Sequence, residues 1–530
     1  PRSSRRMKSS WTPLLTIAHN SERRKRQREL DIQVIIGNPP YSAGQGNAND
    51  DNANIGYPGL DARIRETYAA HTAMTNKRAI YDSYIRAIRW GSDRLGDSGV
   101  LAYVTNAGWV DGAALDGLRK CLAEEFTSIY VFHLRGNART SGEQRRKESG
   151  NIFGEGSRAP VAITLFIKNP NAEQQGQIFF HDIGDYLTRQ DKLNIVRSFG
   201  SIKGVKAKDG WQLIEPNEHY DWINQRSQSY NNLLNITAKD GDPQGIFTTH
   251  SAGLKTNRDA WVYDFSKKAL ETRTKQAVDF FNDEIERKSI SNSFKVNSDP
   301  HRFKWCQATL RDLERGREMS YHPEVLQQTI YRPFQKMWVY KHKSLNWSSY
   351  LMPKFYPTAE AENRLISVSG LGETSDFTVM MVNFLPDLHA LKSAQHFPLK
   401  LYEKSPETDE NDLFAGQSDN TGYTVRDGIT DEGLKHFQTA YPAETITKED
   451  IFYYVYGLLH SPIYRETFAD NLSKELPRIP AVKKPEDFWH FVRAGQDLGE
   501  LHINYETVEP YPVVVELLSN LVPKRSSCGG

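Results

Sequence analysis

At 530 residues and 60.6 kDa the chain outgrows one ordinary hydrophobic core, so two or three domains are expected and a small stapled module is excluded. With 38% hydrophobic and 11% aromatic residues most of this length should fold, and no apolar run approaches the roughly eighteen residues of a membrane span. Lys+Arg 67 against Asp+Glu 66 leaves a net charge of +1, so overall charge points to no partner.

Residues 1–30 are a basic leader or linker in which nine Lys/Arg face only Glu22 and Glu29. Such an arm could touch phosphates, although a solvated surface helix is the simpler reading of its spacing. Segment 31–170 alternates strands with helical periodicity. Val34-Ile35-Ile36 is a buried-strand candidate entering the turn Gly37-Asn38-Pro39-Pro40. Ile80, Tyr84 and Ile88 make one apolar helical stripe, followed by a strand over 99–106, a helix over 111–126, and strands over 129–134 and 161–167. That order predicts an α/β fold: a mostly parallel, doubly wound Rossmann-like sheet with its loops at the carboxyl edge. Residues 135–158 are polar and glycine-rich and read as a long mobile loop.

From 171 to 530 the alternation is lost, and a separate mixed α+β domain is expected, with strand-like pieces IFTTH, TIYRPF, MWVYKH and FTVMMVNFL. The stretch Ser405 to Asp419 is acidic and turn-rich, and 447–472 is strongly helical with a Thr447 cap. Cys121, Cys306 and Cys528 form no CxxC pair, so neither a disulfide framework nor a structural zinc site is encoded and a reducing, cytoplasmic setting is expected. The fifteen histidines show no HExxH or other metal spacing, and no metal is expected.

The chemistry concentrates in Asn38-Pro39-Pro40-Tyr41, directly after a strand and a glycine. An exocyclic amine on adenine is a poor nucleophile because its lone pair is delocalised into the ring. Two acceptors holding its hydrogens pull the nitrogen out of conjugation: an Asn side-chain oxygen and the carbonyl of the adjacent proline. Proline has a fixed φ and no competing N–H, and the ring of Tyr41 offers a stacking face for an extruded base. A bare Asn-Pro-Pro is more often a chain stop; the preceding strand and the following Tyr41 favour chemistry.

GNPPYS at 37–42, IYDSYIRAIRW, GVLAYVTNAGW and NIFGEGSRAPVAITLFIKNP together resemble the gamma-class N6-adenine DNA methyltransferases. LRGNARTSGE, IFTTHSAGLKTNRDAWVYDF, YRPFQKMWVY and NFLPDLHAL resemble the methyltransferase and target-recognition part of single-chain type ISP restriction-modification enzymes, a likeness running from about 31 nearly to the end. The resemblance implies that Asn38, Pro39, Pro40 and Tyr41 are the catalytic motif, that Phe153 stacks on the other face of the flipped adenine, and that Tyr84 lines the cofactor's adenine pocket. The implied cofactor is S-adenosylmethionine and the implied partner is double-stranded DNA. Read from the residues alone, Phe153 could equally anchor a core, and Tyr84 could simply pack in its stripe.

In one respect the sequence departs from that family. No glycine-rich cofactor loop lies ahead of Asn38, so the first strands of the sheet are expected to be missing and the chain to be a fragment. In the type ISP family, a nuclease and a helicase-like translocase would precede it. No GxxxxGK[ST] occurs in the chain itself. The one candidate for a permuted loop, Ser369 to Thr374, is followed by a strand and reads as a hairpin turn. A catalytically incomplete DNA-specificity module is the alternative reading, and an RNA or protein amine methyltransferase is a third. In the second domain Lys255, Asn257, Arg258, Lys336 and Lys341 are the expected DNA contacts, Asn and Arg being natural readers of adenine and guanine.

Overall fold

The computed structural model describes the chain except residues 1–21, 24, 28, 42–55, 73, 75–76, 141, 155–156, 239–243, 292, 372–376, 406–421, 511 and 513–530. Most of the basic leader, the acidic stretch after Ser405 and Cys528 therefore lie outside the described residues. The chain divides into two units: Pro1–Tyr230 with Gly372–Asp376 and Asp470–Glu475, and Asn231–Leu371 with Phe377–Ala469 and Leu476–Gly530.

The first unit is built on one six-stranded sheet. Its strands are β1 (Ile32–Gly37), β2 (Leu95–Asn106), β3 (Ser128–His133), β4 (Val161–Lys168), β5 (Gln177–Asp182) and β6 (Gln212–Ile214), ordered β1-β2-β4-β3-β5-β6. β1 runs parallel to β2 and β3 parallel to β5, while β4 is inserted antiparallel between β2 and β3. The carboxyl ends of β1, β2, β3 and β5 thus share one edge, and the loop from β3 into β4 opens on that same edge. Helix α1 (Ser83–Arg94) buries Tyr84, Ile85 and Ile88, and helix α2 (Asp116–Glu125) buries Leu118 and Leu122, in the core that contains Leu101, Ile129 and Phe166. Gly91 lets α1 press onto β2, since a Cβ there would sit 2.7 Å from a Leu101 methyl.

The sequence expectation differs from this unit in three places. The sheet continues past residue 170 through β5 and β6, because the aromatic pieces around 179 and 211 pack into it: Tyr130 stacks on Phe179 and meets Trp211 edge-on. The strand read as buried is open on one face, with Val34 58% and Ile36 79% exposed, and only Ile35 packs on the core. The segment expected to be a mobile loop contains helix α3 (Gly142–Glu148) and is tied down by side chains.

The second unit is mixed. Leu326–Arg332 pairs antiparallel with Gln335–Tyr340, and Leu365–Val368 pairs antiparallel with both Val379–Val382 and Gln395–Pro398. The Leu365–Val382 register places Ser369-Gly370-Leu371 between two paired strands, and residues 372–374 lie outside the described residues. IFTTH forms isolated bridges at Phe247 instead of a strand. The helical stretch after Thr447 breaks at Ser461-Pro462 into Lys448–Leu459, Pro462–Thr467 and Ala469–Leu472, and the Thr447 hydroxyl caps it through Asp450. Lys448–Leu459 packs against Pro485–Ile503 where a Cβ on Gly495 would lie 2.0 Å from Tyr453 O.

Candidate active site

β1 ends at Gly37, paired with Tyr103, and the chain leaves the sheet edge through two residues that cannot donate a backbone hydrogen bond. Asn38 and Pro40 are exposed, Pro39 and Tyr41 half-buried. Among the described residues the Asn38 side-chain amide has no hydrogen-bond partner. The Tyr41 ring meets Tyr84 edge to face at 6.2 Å and 89°, its hydroxyl is buried without a partner, and burial raises its pKa. Tyr84 on α1 is only 3% exposed, and burial likewise raises its hydroxyl. It is a floor under Tyr41.

Phe153 lies in the loop between β3 and β4, on the same sheet edge as the Asn38 corner, and is 43% exposed. Its backbone is fixed. The Asn151 amide donates to Gly136 O (3.1 Å) and Ala159 O (2.8 Å), while Asn151 Oδ1 accepts from Phe153 N at 2.9 Å. Arg189 Nε donates to Ile152 O, and Lys192 Nζ donates to Glu148 O, both at 2.9 Å. Glu148 Oε2 accepts from Asn137 N, closing the neck of the loop. Asn151 thus fixes the backbone at Phe153, and its only trace in the sequence is an Asn two places before the aromatic, the spacing of a side-chain turn.

The exposed Asn38 amide and the Pro39 carbonyl are acceptors suited to an amine, while Tyr84 is buried and no glycine-rich loop lies ahead of Asn38 in the sequence to complete a cofactor pocket. Among the described residues no group of three His, Cys, Asp or Glu could hold a metal ion.

In the second unit the five expected DNA contacts separate. Asn257 is exposed in a left-handed turn (φ 56°), and Lys255 is half-buried with Nζ 5.9 Å over the Trp347 ring. Lys336 Nζ is ion-paired to Glu506 at 2.8 Å and lies over the Phe384 and Tyr505 rings. Two expectations need correction. Arg258 is 6% exposed and spends four of its five guanidinium donors inside, on Lys304 O (2.9 Å), Leu345 O (3.3 Å), Cys306 Sγ (3.0 Å) and Thr309 Oγ1 (3.5 Å), instead of presenting its fork to a base. Lys341 turns inward to Tyr356 O at 2.6 Å, and burial pushes its amine down to about 8.

A sheet with a reversed strand inserted beside its last parallel pair, an exposed Asn-Pro-Pro-Tyr corner and an attached mixed unit define a methyltransferase-type α/β domain joined to a second domain. The Eco57I restriction-modification methylase description matches residues 13–139, and the Type ISP C-terminal specificity domain matches residues 245–524. The chain belongs to the type ISP family. It is similar to a nuclease-deletion mutant of the type ISP restriction-modification enzyme LlaGI in complex with a DNA substrate mimic (37% identity, TM-score 0.77, 93% of this chain and 44% of that one). It is also similar to the ATP-dependent type ISP enzyme LlaBIII bound to DNA (33%, TM-score 0.78, 96% and 31%) and to DrdV in a DNA complex (33%, TM-score 0.77, 93% and 46%). The chain therefore spans less than half the length of each of these proteins. No curated protein sequence matches it. No described helix is long and apolar enough to cross a membrane.

Proposed function

We propose that this chain is the adenine-N6 methylating and target-recognising region of an ATP-dependent restriction-modification enzyme. Its substrate is double-stranded DNA, and nuclease and translocase domains belong to the same assembly. The observation that carries the reading is exposed Asn38 followed by half-buried Pro39 at the carboxyl end of an edge strand, with Tyr41 packed on Tyr84. An adenine swung out of the duplex places its amine against this corner. Asn38 Oδ1 accepts one N6 hydrogen and the Pro39 carbonyl the other, drawing the nitrogen toward tetrahedral geometry and freeing its lone pair. Tyr41 and Phe153 supply ring faces for the base, and Asn151 holds the Phe153 backbone in place. S-adenosylmethionine supplies the electrophilic methyl group when bound. Residues 245–524 select the sequence around the target base.

Asn38→Ala is the direct test. Because Asn38 is exposed, the variant should fold and bind duplex DNA as the wild type does, while methyl transfer by the full-length protein falls by about 10²–10³-fold. Incorporation of radiolabelled methyl groups into duplex DNA reads this out, and undiminished transfer by Asn38→Ala would overturn the mechanism. Wild-type protein that binds DNA selectively but transfers nothing would favour a specificity module without catalysis.

A further inference from the structure

The second unit holds a cavity of about 660 Å³ bordered by Lys255, Asn257, Arg258, Lys304, Trp305 and Trp347. Two carboxylates, Asp259 and Asp387, also line it. Asp387 accepts from Tyr263 OH, Arg332 Nη1 and His389 N at 2.7 to 2.8 Å, and Asp259 accepts from the Thr256 and Tyr331 hydroxyls. Arg258 is bound to Lys304 O, Leu345 O and Cys306 Sγ, so the lining carries three cations, Lys255, Arg258 and Lys304, against two carboxylates, of which Asp387 is also paired with Arg332 at 2.7 Å. The cavity thus favours an anionic ligand.

Trp347 stands 59% exposed at its rim, which is unusual for an indole with this much apolar surface. It is not on a loose loop. Trp347 N donates to Lys255 O, and Lys255 and Ser348 exchange backbone hydrogen bonds, all at 2.9 Å. Just before it, the Asn346 amide donates to Tyr340 O and His342 O. Asn257 opposite is exposed, in a left-handed turn, and its amide has no partner among the described residues. An exposed ring on a hydrogen-bonded backbone, an open carboxamide and an excess of cations together suit a nucleic acid, which offers base edges and phosphates.

We propose that Trp347 is a specificity-determining contact of this protein with duplex DNA, acting with Asn257 on an adenine edge while Lys255 and Lys304 take the adjoining phosphates. This rests on reading residues 245–524 as the DNA-selecting unit. The test uses the full-length protein and a randomised duplex pool, followed by titration of the selected duplex and a scrambled one. Trp347→Ala should weaken the selected duplex by about 10- to 100-fold and leave the scrambled duplex unchanged, with Trp347→Phe recovering most of the loss. Asn257→Ala should relax the choice at one adenine position. Lys304→Ala should weaken both duplexes alike and lower the salt slope by about one. If Trp347→Ala and Asn257→Ala, with wild-type melting temperatures, keep the wild-type ratio of selected to scrambled binding, this assignment is overturned while the specificity unit stands. A wild-type protein that selects no sequence overturns both.

Discussion

Asn38 and Arg258 both drew attention for the chemistry of their side chains, and the fold treats them in opposite ways. Asn38 leaves a sheet edge where the hydrogen-bond ladder ends and two prolines follow, so no described residue takes its amide and it stays outside. Arg258 follows a left-handed Asn257, has its N–H held by Thr256 Oγ1, and turns its guanidinium in to carbonyls that would otherwise lie buried without a donor. Residue type names the chemistry that is available. Local backbone and the unmet hydrogen bonds around it decide whether that chemistry faces a ligand or the interior.

The distinction predicts that substitutions of buried charges act on stability and leave DNA selection intact. The largest effect should come from Asp221, a fully buried carboxylate among three cations: Arg226 Nε at 2.8 Å, Lys474 Nζ at 3.3 Å and Arg119 Nη2 at 3.5 Å. Asp221→Asn leaves those cations unanswered and should cost about 3–5 kcal/mol in urea unfolding at pH 7. Burial opposes its ionisation, but the Arg226 hydrogen bond and the Lys474 charge outweigh this and bring its pKa to about 2. Its ordinary value is about 3.9, so the stabilisation is present above about pH 4 and drains away as pH falls toward about 2, about 2.6 kcal/mol in all. Wild type should therefore lose more stability than Asp221→Asn across that window. Equal acid sensitivity would remove Asp221 from this role.

Arg258→Ala comes next. It orphans two carbonyls and should cost about 3 kcal/mol in thermal unfolding, and Arg258→Lys should not restore it because one ammonium cannot span Lys304 O, Leu345 O and Thr309 Oγ1 together. A stable Arg258→Ala protein with altered site choice would break the comparison and return Arg258 to the DNA-reading set.

The same distinction explains what the sequence could disclose. The strand, the Asn-Pro-Pro-Tyr corner, α1, α2 and the Thr447 cap were legible because period, proline and capping are local signals. The antiparallel insertion of β4 was not, because strand direction is set by long-range pairing: Val161 opposes Asn106 across 55 positions of chain. Nor was the exposure of Val34 and Ile36, which depends on what covers one face of β1. Asn151 escaped notice because its work is a set of hydrogen bonds to Gly136, Phe153 and Ala159, none of which has a composition signature. In the second unit Lys341 and Asn257 looked alike in sequence and part company only in burial.

Lys341 gives the smallest and most discriminating prediction. An outward lysine on a DNA-facing strand would contribute to the salt dependence of binding, and losing it would lower that slope by about one. An inward lysine contributes nothing there, so Lys341→Met should change duplex affinity less than about twofold and leave the slope unaltered. Its signature lies in pH instead. Burial depresses the amine to about 8, so the folded state sheds a proton that the unfolded chain, with its ordinary value near ~10.4, still holds. More protons bound in the unfolded state mean that stability rises with pH, here between about 8 and 10. Wild type should gain stability over that interval relative to Lys341→Met, because methionine has no charge to relieve. A flat difference together with a reduced salt slope would place Lys341 on the DNA after all, and would show that exposure in the free protein does not govern which cations of this unit meet phosphate.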